Sequence, residues 1–158
     1  MFSRLVECWV AIAMVAGLTA GAVAQTPATR QTAPAAVDAA FKKAYPNATM
    51  KLVTKEVENG KTVYEVESVD NGRRRDLVYN PDGSVVVIED EMTEAEFPAA
   101  VAAAIAKRYP KATITLREKL TITKGSVVQY EAQLKGVPGV DEAILTVDGK
   151  WVSPKAVP

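Results

Sequence analysis

The sequence of 158 residues contains no histidine and one cysteine. The absence of histidine removes the commonest general base and the commonest transition-metal ligand. Cys8 lies in an amino-terminal segment that we expect to be removed, so the mature chain should have no disulfide and no thiolate nucleophile. Serine–histidine and zinc hydrolase chemistry are thereby excluded. We expect no enzymatic activity, no cofactor and no metal site.

Residues 1–24 have the pattern of an export signal. Arg4 precedes a charge-free run from Cys8 to Ala24, and the small residues Ala22 and Ala24 fit a signal peptidase site. Cleavage is expected after Ala24, before a flexible linker over residues 25–33. A retained membrane anchor is the alternative, but the apolar run is short and lacks a basic stop-transfer flank. The chain should therefore be periplasmic or secreted, with no stable membrane insertion after cleavage.

The rest of the chain contains an internal repeat. A shift of 64 positions aligns residues 34–50 with residues 98–114, and 11 of these 17 positions are identical. With two added residues the match resumes, so that Tyr64-Glu65 aligns with Tyr130-Glu131. Such self-similarity indicates a duplication. It predicts one repeat over residues 34–96 and a second over residues 97–158.

Each repeat is predicted to begin with a helix and to continue with four antiparallel strands. Pro34 and Pro98 suit helix starts, whereas Pro46 and Pro110 end the two helices. After each helix the apolar period changes from 3.6 to 2, which is typical of strands with one buried face. Turn residues such as Asn59-Gly60 and Asp70-Asn71-Gly72 separate the strands.

These segments carry a resemblance to a known family. The Pro-Ala-Ala-Val-x-Ala-Ala helix, the Tyr-Pro-x-Ala exit, the Gly-Lys-x-x-Tyr-Glu-Val strand and the Asp-Gly turn resemble the PepSY-like, β-lactamase-inhibitor-like proteins exported by bacteria. The resemblance covers nearly all of residues 34–152. It implies an α+β fold in which two tandem helix-plus-antiparallel-strands repeats form one curved antiparallel sheet with both helices on one face.

Carboxylates offer two candidate sites. The acidic run from Glu89 to Glu96 could supply oxygen ligands to calcium, but its spacing fits no calcium loop, and a solvated linker between repeats is the favoured interpretation. Glu65 and Glu131 occupy equivalent strand positions. They could act as an acid–base pair only across a cleft that the sequence does not reveal.

Arginines and strand aromatics are the predicted partner-binding residues. Guanidinium groups match anionic partners, and aromatics on an open sheet face commonly anchor protein interfaces. The alternatives are protection of a strand edge by the arginines and core packing by the aromatics. The predicted set is Tyr64, Arg73, Arg74, Arg75, Tyr79, Tyr130 and Trp151.

The leading hypothesis is a non-enzymatic exported binding module that holds a protein or peptide. The resemblance adds inhibition or modulation of a secreted hydrolase such as a peptidase or β-lactamase. A small-ligand or ion-binding envelope protein is the alternative.

Nucleic-acid binding is not expected, because net charge is zero. Self-association is a third hypothesis, because residues 34–96 carry 8 basic and 13 acidic side chains and residues 97–158 carry 9 and 5.

Overall fold

The computed structural model describes residues 29–58 and 60–152. Within these residues, two helices and eight strands follow one another. They are β1 Thr29–Arg30, α1 Ala35–Ala44, β2 Thr49–Glu58, β3 Lys61–Asp70, β4 Arg73–Tyr79, β5 Val85–Glu91, α2 Ala99–Arg108, β6 Thr113–Ile122, β7 Val127–Lys135 and β8 Glu142–Leu145.

The strands form one antiparallel sheet in which spatial order follows chain order from β1 to β8. Short turns make this meander possible. Between β3 and β4, Asp70 pairs with Arg73, and the turn residues Asn71 and Gly72 both have positive φ, at 51° and 83°. Two such residues match the right-handed twist of the strands, as the sequence predicts. The predicted α+β class with an antiparallel sheet is confirmed.

Helix α1 packs on the strands of the first half. Val37 and Phe41 are buried against Val53 of β2, Val66 of β3 and Leu77 of β4. The helix ends where the sequence predicts, because Tyr45 before Pro46 leaves helical geometry at φ −131° while its N–H still donates to the Phe41 carbonyl. The alanines of α1 allow this close approach to the sheet.

Helix α2 repeats this arrangement in the second half. Val101 and Ile105 are buried against Ala132 and Leu134 of β7 and Leu145 of β8. The helix also ends at a tyrosine before proline, and Tyr109 has φ −128°. The same local sequence therefore gives the same backbone geometry at both helix ends.

The second half departs from the predicted four strands. After β8, the described chain adds an isolated bridge between Leu145 and Trp151 in place of a fourth strand. Gly136 and Gly139 have positive φ in the connection between β7 and β8, and β8 itself has four residues. The prediction of a complete fourth strand is wrong for the residues that the structure describes.

The amino-terminal predictions fall largely outside the described residues. The expected signal peptide, residues 1–24, lies there entirely. Thr29 and Arg30 belong to the segment predicted as a linker, and they pair with Lys55 and Thr54 of β2. Among the described residues, neither helix has the length and hydropathy needed to cross a membrane.

Candidate functional site

The residues that contact the helices alternate along the strands with carboxylates. Val66, Leu77 and Ala132 pack in the helix clusters, and their chain neighbours Glu65, Asp76 and Glu131 must point to the opposite side of the sheet. The strand register extends this side from β2 to β8. We call it the acidic face. It carries Arg74, Lys61 and Lys135 together with Glu56, Glu58, Glu65, Glu67, Asp76, Glu89, Glu91, Glu118, Glu131 and Glu142.

Part of the same face is apolar. A third buried cluster joins residues of β3, β4, β5 and β6 without a contribution from either helix, and it consists of Val63, Val78, Val87, Leu120 and Ile122. This cluster adjoins the carboxylates, because Val78 pairs with Glu65 and Leu120 pairs with Glu89. The apolar neighbours help to shield the central carboxylates from water.

Three carboxylates lie together at the centre of the acidic face. Asp76 on β4, Glu89 on β5 and Glu118 on β6 each bring one oxygen to within 4.8 Å of the others. Their exposed fractions are 0%, 4% and 1%. Within the described residues, Asp76 Oδ1 and both carboxylate oxygens of Glu118 are buried without a hydrogen-bond partner. We call these three residues the central carboxylates.

Arg74 places a guanidinium group beside the central carboxylates. Its Nε donates to Asp76 Oδ2 at 2.7 Å, and its main-chain N–H donates to Glu91 Oε2 at 2.9 Å. Arg74 is also among the residues that line a cleft of 390 Å³ at the end of the β3–β4 hairpin. This one guanidinium cannot match the number of carboxylates around it.

Burial raises the pKa of the carboxyls on the acidic face. The pKa of Glu65 rises to about 8 through burial, with further contributions from Glu56 and Asp76. Burial raises the pKa of Glu118 to about 7, although Arg74 opposes the rise. The pKa of Glu89 lies well above its usual range for the same reason, and the negative charge of Glu131 adds to it. The face is therefore partly protonated near neutral pH.

The three predicted arginines form ion pairs within the chain. Arg73 binds both carboxylate oxygens of Glu96 at 3.0 and 3.1 Å. Arg75 donates to Asp90 at 2.6 Å and to Asp70 at 2.9 Å, and its guanidinium lies 4.8 Å from the ring centre of Tyr45. Arg74 is the member of this group that lies on the acidic face.

The four predicted aromatics lie against the helix clusters. Tyr79 is completely buried beside α1, where Tyr64 also packs. Tyr130 packs edge to face on Phe97, at 6.2 Å between ring centres, and Trp151 packs in the same way on Tyr109 at 5.7 Å. These contacts favour the core-packing interpretation. The structure does not bring the arginines and the aromatics together as one surface.

The central carboxylates did not stand out in the sequence as a group. Glu89 to Glu91 were expected in a solvated linker, but this interpretation is wrong because β5 extends to Glu91 and Glu89 is buried. The sequence did contain a signal for the wider acidic face, since glutamates alternate with other side chains in Tyr64-Glu-Val-Glu67. Alternation tells which side chains share a face of one strand, but it does not tell which strands are neighbours.

Comparison with known proteins identifies the fold. A candidate periplasmic protein from Bacteroides eggerthii has 23% sequence identity and a TM-score of 0.62, over 77% of this chain and 87% of that one. A DUF2874-family protein from Bacteroides uniformis has 22% identity and a TM-score of 0.60, with the same coverage. A BLIP-like protein from Bacteroides fragilis has 19% identity and a TM-score of 0.53, over 74% and 81%. No family model and no curated protein matches the chain.

These similarities place the chain in one fold class with BLIP-like and DUF2874-family proteins. At such identities the likeness concerns the fold, so the β-lactamase-inhibitor-like part of the resemblance is supported at that level. The PepSY-like assignment stays a prediction. The predicted periplasmic or secreted location agrees with the description of the Bacteroides eggerthii protein.

Proposed function

We propose that this chain is a periplasmic or secreted, non-enzymatic binding module that holds a protein or peptide on the acidic face. The observation that carries this proposal is a sheet face with many carboxylates beside an apolar cluster. Protein interfaces commonly combine apolar and charged side chains in one surface. The partner would present lysine or arginine side chains, because complementary charge guides association and selects the partner.

The proposal includes the finer arrangement that the repeat and the resemblance imply. In it, two tandem repeats form one curved sheet, both helices cover one face, and the partner binds the half-buried carboxylates of the acidic face. The location of Val66, Leu77 and Ala132 against the two helices supports this arrangement. The partner class would be a secreted hydrolase whose activity the module modulates, as the name of the BLIP-like neighbour suggests.

The non-enzymatic part of the proposal has separate support. Raised pKa values often accompany catalytic acids and bases, and Glu65 and Glu131 have them. However, a catalytic carboxyl must reach its substrate, and both of these side chains are buried. Their burial favours a role in stability over a role in acid–base catalysis.

A double substitution on the acidic face tests the proposal. Glu56 and Glu67 lie on neighbouring strands of this face and are half-buried. We expect Glu56→Gln with Glu67→Gln to weaken binding of the partner by about tenfold, through loss of charge pairs at the interface. The partner is captured from the envelope fraction, identified and purified. Its Kd is then measured by calorimetry, and its hydrolase activity is measured with and without the module.

The matched control removes the same number of negative charges elsewhere. Asp38→Asn with Glu94→Gln changes a residue of α1 and a residue between β5 and α2. This control should bind the partner as well as the unsubstituted chain does. Equal weakening by both pairs would show a general effect of net charge, and undiminished binding by the acidic-face pair would place the partner on another surface.

A further inference from the structure

The central carboxylates form a group that the described protein atoms do not neutralise. Three buried acidic oxygens from three neighbouring strands approach within 4.8 Å, and both oxygens of Glu118 lack a hydrogen-bond partner within the described residues. Buried polar atoms are normally satisfied, and buried charges are normally paired. Arg74 contacts Asp76 but leaves Asp76 Oδ1 without a partner in the described part of the chain.

We propose that Asp76, Glu89 and Glu118 bind a divalent cation through their carboxylate oxygens. A cation between these oxygens would satisfy the buried acceptors and would cancel the repulsion among the three groups. The site is built on three adjacent strands of one sheet, whose main-chain hydrogen bonds fix the spacing of the ligands.

The donor set selects the class of metal. Carboxylate oxygens suit calcium, magnesium and manganese, whereas zinc and copper sites usually include histidine or cysteine. The chain has no histidine, and its one cysteine is residue 8. Calcium accepts six to eight oxygens in irregular geometry. Gln129 Oε1 and the Glu131 carboxylate are further buried oxygens on the same face.

Arg74 contacts both the cleft and the central carboxylates. It is among the residues that line the cleft of 390 Å³, and its side chain binds Asp76. Glu91 lies in the same cleft and pairs across the strands with Glu118.

The cation site does not depend on the proposed protein partner. A lysine or arginine of a partner can reach the half-buried carboxylates of the acidic face, but the central carboxylates are almost completely buried. Binding of a cation to the isolated chain therefore tests this inference alone. Loss of partner binding would not contradict the proposed cation site.

The test measures binding of calcium to the chain purified after export and treated with a chelator. Calorimetry at pH 8 should show one bound calcium per chain, and the melting temperature should rise with calcium but not with sodium chloride of equal ionic strength.

Glu118→Gln should weaken calcium binding at least about tenfold, because it removes a charged ligand while keeping the side-chain shape. Glu89→Gln should have the same effect. Glu94→Gln is the matched control, because the Glu94 side chain is 88% exposed, and it should bind calcium normally.

Several results would overturn the inference. These are no heat of binding with calcium, magnesium or manganese at millimolar concentration, equal calcium binding by the unsubstituted chain and Glu118→Gln, or loss of binding in Glu94→Gln alone. Magnesium or manganese binding that is lost in Glu118→Gln supports the site with a different metal. Circular dichroism in chelator establishes that each variant folds, and if Glu118→Gln does not fold, Glu89→Gln decides the outcome by the same criteria.

Discussion

Unfolding of this chain by urea in the presence of a chelator is expected to require more denaturant at pH 5 than at pH 8.5. The reason is the raised pKa of the buried carboxyls, which is about 8 for Glu65 and about 7 for Glu118. In the unfolded chain a glutamate titrates near pH 4.5, so between that pH and about pH 8 the folded state binds more protons. The free energy of unfolding must therefore fall as pH rises through this interval.

The expected loss is several kcal/mol, because one unit of pKa difference corresponds to about 1.4 kcal/mol. Glu89 and Asp76 act in the same direction, since burial raises the pKa of both. Carboxyls with lowered pKa have the opposite effect, but the pKa of Glu96 and Asp148 is about 2. Their contribution is present above pH 4.5 and is lost only below it, so they do not cancel the trend between pH 5 and 8.5.

Substitution shows which groups cause the pH dependence. Glu118→Gln should flatten the pH profile and should make the chain more stable than the unsubstituted one at pH 8.5 without calcium. Glu94→Gln, at an exposed position, should leave the profile unchanged. A free energy of unfolding that is constant or rises from pH 5 to 8.5 would contradict the buried, partly protonated state of the acidic face.

The helix ends and one tight turn could be predicted from the sequence, because local geometry determines them. The helices were predictable because Pro46 and Pro110 act locally, through the geometry of the residue before proline. The turn at Asn71-Gly72 was predictable for the same kind of reason, since both residues tolerate positive φ. The fourth strand predicted for the second half was wrong for the described residues, because Leu145 and Trp151 form a bridge but no extended ladder.

The candidate site required tertiary information that no local pattern contains. Asp76 and Glu118 are far apart in the chain, and they meet only because β4, β5 and β6 are neighbours in one sheet. The pairing of β5 with β6 joins the two predicted repeats, so the repeat pattern within either one does not reveal it. The predicted aromatics needed tertiary information as well. Period-2 alternation shows which side chains share a face of the strand, but it could not decide which side of the sheet Tyr79 faces.

Alanine at Gly83 is expected to cause a large loss of stability. Gly83 has φ +84°, and a Cβ atom added there would lie 2.6 Å from the Ala36 carbonyl oxygen in the first turn of α1. The substitution combines a strained backbone with a clash against main-chain atoms, which can move only if the helix moves. Together these effects should cost about 2 to 5 kcal/mol of unfolding free energy. Gly149 has the same environment in the second half, with Ala100 at 2.6 Å, and should respond in the same way.

Gly72→Ala separates the two causes. Gly72 has nearly the same φ, at +83°, but nothing lies within 4 Å of the added Cβ, so this variant carries the backbone strain without the clash. It should lose only about 1 to 2 kcal/mol. Urea midpoints of the three variants at pH 5 provide the comparison. Equal losses in Gly72→Ala and Gly83→Ala would show that the first turn of α1 yields easily, and contact between the helix and the β4–β5 turn would then contribute little to the docking of α1 on the sheet.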